Sequence, residues 1–392
     1  MMELVIALSL ALIAHGIVGY PVLMAMLARW RGGPPALKPP AALPLSDGGG
    51  VSIVICARNE AERIQARLRN LLDTACEGGI EILLYCDGCQ DETAARAREL
   101  GLPGLVVIES SWQTGKPAGL NTCIPRCRFP IVVLADVRQS FEPGSIPALV
   151  AAFADPAVAA VSGRLEIAPS ASGGGRGVDL YWRLESWLRR SEARYDSVIG
   201  CTGAICALRR DLYQPLPEDT LLDDVVIPMR LAAAGWRIAY EPGARALDPQ
   251  TLAPERERAR KLRTLAGNYQ MLGRHPAWLL PWRNRLWWQL ASHKYLRLLI
   301  PWLLILVAAL SLAAARGPAI QAMLVVQAAL YTAALAGLLL PSARSRLLTV
   351  PAGFLQLQWS CLRALFAYLR HRRNPKALWQ PVRAEKTAPV SP

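Results

Sequence analysis

The 392-residue chain is short of charge, of histidine and of any cysteine framework. Asp, Glu, Lys and Arg make up 19%, below the roughly 25% of a soluble domain. Hydrophobic residues reach 53% and the mean hydropathy is +0.23, which excludes a disordered chain and argues against a wholly soluble one. Acidic residues are the scarcer sign: 30 against 44 basic ones leave a formal net charge of +14. That balance suits nucleic acid, anionic lipid or a phosphorylated substrate. The long apolar runs favour the last two, so no nucleic acid is expected as a partner. Four scattered histidines and nine irregularly spaced cysteines give neither a zinc signature nor a disulfide scaffold. The cysteines read as reduced thiols in a chain facing the cytoplasm. Ser172 to Gly177 is glycine-rich but lacks the Gly-Lys-Ser/Thr of a P-loop, and reads as a mobile, lid-like loop.

What is present is apolar at the ends. Residues 4–27 are almost unbroken apolar, long enough for a bilayer core of about 30 Å. Met1-Met2-Glu3 supplies no basic n-region, so an uncleaved anchor is expected over residues 1–30 rather than a signal peptide. Arg29 and Arg31, with Trp30 between them, place the next segment in the cytoplasm. Residues 31–50, rich in Pro and then Gly, read as a linker. Residues 296–315 and 319–340 form a second apolar pair joined by an Arg316-Gly317-Pro318 turn. Residues 347–369 are interrupted by Gln356, Gln358 and Arg363; an interfacial helix is preferred there over a fourth span. Trp278, Trp282, Trp287 and Trp288, interleaved with Arg283, Arg285 and Lys294, read as an interfacial belt. A helical region, interfacial and transmembrane, is therefore expected over residues 276–392.

The middle is different. Short β-branched runs at 51–56, 80–86, 105–109 and 131–135 alternate with helical periodicity at 60–72 and 91–100. That alternation predicts an α/β fold with a mainly parallel sheet. Ligands on such sheets bind beyond the carboxyl ends of the strands, where Asn59, Glu60, Asp87 and Asp136 fall. An Asp after a strand is commonly a turn former or a helix cap. Acids recurring at one strand end after another point instead to a shared cation or substrate, since bare carboxylates repel.

The motifs resemble the family-2 inverting glycosyltransferases of GT-A fold, from about Val51 to Gln270. Cys56-Ala-Arg-Asn59-Glu60 looks like the family's opening P-A-x-N-E, and Cys86-Asp87-Gly-Cys-Gln-Asp-Glu-Thr93 like its D-D-G-S-x-D-x-T, with Cys86 in place of the first Asp. The resemblance implies a GT-A domain over residues 51–275, flanked by transmembrane helices, and gives Asp87 the base or ribose of a nucleotide sugar. Gly115-Lys116-Pro-Ala-Gly-Leu-Asn121 is similar to the segment near the diphosphate, where a lysine is a sensible point charge. Asp136 stands at the family's D-x-D, of which one carboxylate is kept, and is implied as the ligand of a divalent cation, Mg²⁺ or Mn²⁺. Thr202-Gly203-Ala204 resembles the segment below the acceptor, and Leu222-Asp223-Asp224 the E-D pair, which makes Asp224 the catalytic base. Asp223 and Asp224 also suit a helix start, where carboxylates favour the dipole. Arg260 to Thr264 is similar to the Q/R-x-x-R-W element, with Thr264 in the Trp place, so Arg260 and Arg263 are donor-side candidates. Trp182, on a helical stretch, is an acceptor-side candidate through ring stacking.

The resemblance thus implies a metal-dependent, inverting sugar transfer from a nucleotide-sugar donor, a UDP-sugar by expectation. The acceptor is expected to be lipid-linked or a glycan, at the cytoplasmic face of a bacterial inner membrane. Two rivals stand beside it: a nucleotidyltransferase on a similar sheet, and a degenerate, non-catalytic subunit of a polysaccharide synthesis and export assembly.

Overall fold

The computed structural model describes residues 1–37, 49–74, 78–167, 176–249, 254–314, 317–340 and 345–379. The side chains of 176–182 and 254–256 also lie outside that description. Most of the linker, the lid-like glycine loop at 172–175 and Arg316 of the hairpin turn fall outside it as well. The chain divides into a unit of Met24–Leu252 with Leu280–Leu286, and a helical unit of Met1–Leu23, Ala253–Leu279 and Trp287–Pro392.

Among the described residues the first unit is built on eight strands: β1 (Val51–Ala57), β2 (Ile80–Asp87), β3 (Leu105–Ser110), β4 (Ile131–Ala135), β5 (Ser140–Phe141), β6 (Val158–Ile167), β7 (Ile205–Arg209) and β8 (Arg237–Asp248). They form one sheet in the order β3-β2-β1-β4-β7-β6-β8-β5. The first four strands, those anticipated from β-branched runs, are mutually parallel. β7 then enters antiparallel between β4 and β6, and β5 pairs antiparallel with β8, so the sheet is mixed. Strands β1 and β4 are buried nearly throughout, as an apolar run covered on both faces requires. Ile53, Ile55, Ile82, Leu84, Val133, Ile146, Leu149 and Phe153 belong to one core. Each such buried side chain contributes roughly 1.5–3 kcal/mol relative to exposure.

Register decides what meets at the strand ends. Ala57 of β1 lies beside Cys86 of β2, so the loop at Arg58–Glu60 and Asp87 leave the sheet at one level. Ala135, the last residue of β4, pairs with Ile205, the first of β7. Because that pair is antiparallel, Asp136 leaving β4 is set against Gly203-Ala204 arriving at β7. One strand pairing thereby joins two segments 67 positions apart in number, from Asp136 to Gly203.

Among the described residues three helices are long and apolar enough to cross a membrane: Met2–Arg31, Trp287–Ala313 and Pro318–Leu339. Ile6 and Ile13 pack against Ile300, Leu303 and Val307. Arg346–His371 is a 26-residue helix that is not among the candidate spans. Arg285 departs from the expected aromatic and basic belt: it belongs to the sheet-bearing unit, where its guanidinium is bound to Asp196.

The helix Lys116–Cys123 is seated on β1 and β2 through Gly119, where an added Cβ would stand 2.6 Å from Cys56 Sγ and 2.7 Å from Tyr85 Cδ1. Alanine there gains about 1 kcal/mol of helix propensity, but overpacking costs about 1–3 kcal/mol, and the Tyr85 ring cannot swing aside. Gly119→Ala is therefore expected to lower stability by about 1 kcal/mol in urea denaturation, and Gly119→Val by more.

Candidate active site

The site assembles at the carboxyl ends of β1, β2 and β4 from six chain segments: 59–60, 87, 114–121, 136, 201–203 and 223–224. Asn59 takes a left-handed conformation (φ 53°) in the turn after β1, one that asparagine tolerates better than most residues. Its Oδ1 accepts the Gln90 N–H at 2.8 Å, while the Glu60 N–H donates to Thr93 Oγ1 at 2.9 Å. The Glu60 carboxylate pairs with Arg63 at 3.1 Å. Asn59 and Glu60 thus tie the turn after β1 to the loop after β2.

Asp87 is 7% exposed and its carboxylate is spent on a second loop. Oδ1 accepts from Thr114 N (2.6 Å), Thr114 Oγ1 (2.9 Å) and Gly115 N (3.1 Å), and Oδ2 from Gly115 N (3.0 Å). Gly115 is the residue before the helix Lys116–Cys123 and holds φ 96°, where a side chain would be strained. Asp87 therefore fixes the start of the helix whose first residue is Lys116. At the far end of that segment, Asn121 Oδ1 accepts from Leu216 N (2.8 Å) and Tyr213 OH (2.7 Å), and its Nδ2 donates to Leu216 O (2.8 Å). The motif asparagine thereby pins the stretch leading to Asp223.

Lys116 is the centre. Its Nζ donates to Asp136 Oδ1 at 2.8 Å and to the Gly203 carbonyl at 3.3 Å, with Asp223 Oδ2 at 3.6 Å. An ideal Cβ on Gly203 would lie 3.7 Å from both Lys116 Nζ and Asp224 Oδ2, so both groups border Gly203. Glycine at 203 leaves that space open. Burial by itself would lower the lysine pKa; the Asp136 and Asp223 carboxylates outweigh it and hold Lys116 well above its usual value. Asp136 is steadied from behind, its carbonyl accepting from Nε of the buried Arg67 at 3.0 Å. Arg67 in turn stacks over Phe141 at 4.2 Å and donates to Asn70 Oδ1 at 2.6 Å.

Asp223 and Asp224 open the helix Asp223–Ala233, where the dipole favours their negative charge by roughly 0.3–1 kcal/mol each. The Asp224 carbonyl accepts the Cys201 N–H at 2.8 Å, which joins that helix to the segment before β7. Thr202 is buried, its Oγ1 accepting from Arg189 Nη1 at 2.7 Å and from Ser162 Oγ at 3.3 Å.

Of the residues expected from sequence, Lys116, Asp136, Gly203, Asp223 and Asp224 are brought together. Asp87, Asn59, Glu60 and Thr202 hold the loops that carry them. Arg260 and Arg263 lie on the helix Pro254–Arg274 of the helical unit, where Arg260 pairs with Glu257 at 3.0 Å. The backbone of Trp182 lies in the helix Arg176–Tyr195, and its side chain falls outside the described residues. Sequence reasoning missed Arg67, Cys201 and Arg189, whose contacts with Asp136, Asp224 and Thr202 are remote in the chain and leave no local signal.

A divalent cation finds hard donors here but no closed cage. Asp223 Oδ2 is buried with no hydrogen-bond partner, and Asp136 offers a carboxylate that is 41% exposed. Among the described residues no group of three His, Cys, Asp or Glu could hold an ion. This donor set fits Mg²⁺ or Mn²⁺ sharing its coordination with phosphate oxygens, and not a structural metal.

Comparison with known proteins then places the chain. A family model described as "Glycosyltransferase like family 2" matches residues 48–267, more than half of the sequence. The chain belongs to glycosyltransferase family 2. It is 25% identical over 211 residues to poly-beta-1,6-N-acetyl-D-glucosamine synthase of Staphylococcus aureus strain COL, which covers 52% of this chain and 51% of that protein. The same synthase from strain MRSA252 matches equally. This family-2 chain thus spans about half the length of the curated relatives it matches. Among solved structures, mannosyltransferase PcManGT of Pyrobaculum calidifontis, in complex with GDP-Man and Mn²⁺, superposes with a TM-score of 0.68 at 22% identity. The match covers 93% of this chain and 99% of that one, and shows that the two share the GT-A fold.

The lysine at the centre gives a pH prediction. Its folded pKa lies above that of the free side chain, so the stabilisation is present in full below about pH 10 and lost only as pH rises through the folded value. The stability difference between wild type and Lys116→Met in urea denaturation should be flat from about pH 6 to pH 9. Asp87→Ala, which strips a charged acceptor from two backbone N–H groups and a hydroxyl, is expected to cost about 3 kcal/mol in the same measurement.

Proposed function

We propose that this protein transfers a sugar from a nucleotide-sugar donor, by expectation a UDP-sugar, to a hydroxyl of a lipid-linked or glycan acceptor, with inversion at the anomeric carbon. The observation that carries the reading is the convergence of one ammonium and two carboxylates, Lys116 with Asp136 and Asp223, at the end of β4, with Asp224 beside them at Gly203. A structural ion pair needs one acid. Two on one base, with a third acid close by, form a place suited to a charged ligand that exchanges partners.

In this scheme the loops at Asn59–Glu60 and Asp87 face the nucleoside, and Lys116 meets the diphosphate. A divalent cation, Mg²⁺ or Mn²⁺, held by Asp136, supplies further positive charge to the leaving diphosphate when bound. Arg260 and Arg263 are assigned to the donor phosphates, and Thr202, Gly203, Asp223 and Trp182 to the acceptor side. Lys116 stabilises negative charge that develops as the anomeric bond breaks, in a site where preorganised charge acts without reorganisation. Asp224 takes the proton from the acceptor hydroxyl as its oxygen attacks from the face opposite the diphosphate. One displacement inverts the centre. The curated relatives are synthases of an N-acetylglucosamine polymer, and the structural neighbour was solved with GDP-Man, so both belong in the donor panel. The three apolar helices and the arginines after the first of them support a membrane protein of the bacterial inner membrane, its sheet-bearing unit in the cytoplasm.

The test is donor profiling and then turnover. A true donor, with Mg²⁺ or Mn²⁺, raises the melting temperature by mass action while unrelated nucleotides leave it unchanged. Asp224→Asn is expected to keep that shift and to lose transfer by about two to four orders of magnitude. Wild-type turnover by Asp224→Asn would remove the base from its role. Donor binding with no transfer to any acceptor would favour the degenerate subunit.

A further inference from the structure

The helix Asp223–Ala233 contains a proline, Pro228, at its sixth residue, beyond the first turn where proline is tolerated. In an unbroken α-helix the N–H of residue 228 donates to the carbonyl of residue 224. Proline has no N–H, and its ring crowds that same carbonyl. The carbonyl in question is Asp224's, and it accepts the N–H of Cys201 at 2.8 Å. Gly200 packs beside the pair: a Cβ there would lie 3.5 Å from the Asp224 carbonyl oxygen and 3.2 Å from Val225 Cγ2. Two positions beyond Cys201, Gly203 lends its carbonyl to Lys116 at 3.3 Å.

We infer that Pro228 is a positioning residue: by vacating the Asp224 carbonyl it lets the helix recruit Cys201, and so sets the Cys201–Gly203 segment and the Asp224 carboxylate in one fixed relation. The residue touches no reacting group. It acts through one backbone acceptor, and it does so at a cost, because an interior helix position would be more stable with almost any other residue. The inference rests on the transferase reading above, since what is positioned is the proposed base against the acceptor segment.

Pro228→Ala restores the N–H, which competes with Cys201 for the same carbonyl. If Pro228 served only to fill space, alanine would lower the melting temperature and leave turnover per folded molecule intact. The positioning role predicts the reverse. The melting temperature stays level or rises, donor KM is unchanged, and kcat falls about tenfold to a hundredfold, the usual result of a displacement near 1 Å. Hydrogen–deuterium exchange supplies a readout independent of activity: the Cys201 amide should exchange at least about tenfold faster in Pro228→Ala while the β4 amides keep their protection. Pro228→Val, larger than proline where alanine is smaller and carrying the same N–H, is measured in parallel and should behave alike. Unchanged Cys201 exchange, or wild-type kcat in either folded variant, overturns the inference. Wild-type protein that transfers no sugar sinks the transferase reading instead, and the exchange result still judges the freed carbonyl.

Discussion

The arrangement depends on one electrostatic constraint: two carboxylates from distant segments, Asp136 and Asp223, share one ammonium. Two like charges about 4 Å apart repel by roughly 4 kcal/mol at the effective dielectric near a protein surface. Asp136 and the Asp223–Asp224 pair would push apart without Lys116. With it, the balance is held by a lysine bonded to Asp136 at 2.8 Å and 3.6 Å from Asp223. A second acid on one lysine is more than a simple salt bridge requires.

Everything around the cluster serves to hold these charges at fixed places. Arg67 grips the backbone of Asp136, Asp87 grips the two residues before Lys116, and Asn121 grips the stretch before Asp223. None of these three is spare to bind ligand without loosening what it holds. An acid such as Asp87 can therefore sit at a strand end, in the right motif, and act chiefly on the loop beside it. Any contact it makes with a nucleoside must come from outside an already saturated Oδ1.

Legibility in the sequence depends on the kind of signal each part leaves. The β1–β4 half reads directly, because fully buried parallel strands must be unbroken β-branched runs such as Val51–Cys56 and Ile131–Ala135. The β5–β8 half does not. β6 is Val-Ala-Ala-Val-Ser-Gly-Arg-Leu-Glu-Ile and β8 contains Pro242 and Gly243, so neither carries a clean run or a strict alternation. Their register even shifts where they pair, at Ser162/Arg164. With them went the antiparallel entry of β7, which is the step that sets Gly203 against Asp136. The motif residues Lys116, Asp136, Asp223 and Asp224 do meet. What the sequence could not supply was the division between those that meet and those that brace, such as Asn59 and Thr202.

The helix Asp223–Ala233 shows the same limit most sharply, because it is fixed at both ends by partners outside its own pattern. At its start Cys201 takes the carbonyl that a helical N–H would have taken. At its end Arg285 Nη1 donates to the Ala232 carbonyl at 2.7 Å, its Nη2 to the Trp236 carbonyl at 2.7 Å and to Ser197 Oγ at 3.2 Å, with Nε on Asp196 at 3.1 Å. Acids stand at the positive end of this helix and a guanidinium at the negative end, so both termini are complemented in charge. Arg285 comes from a seven-residue segment, Leu280–Leu286, flanked on both sides by sequence of the helical unit. Read as composition, that arginine belongs with the tryptophans around it and looks interfacial. Its actual partners are two carbonyls, a hydroxyl and a carboxylate, and only a planar five-donor group satisfies them together. The helix that carries the candidate base thus takes its placement from a segment more than fifty positions further along the chain.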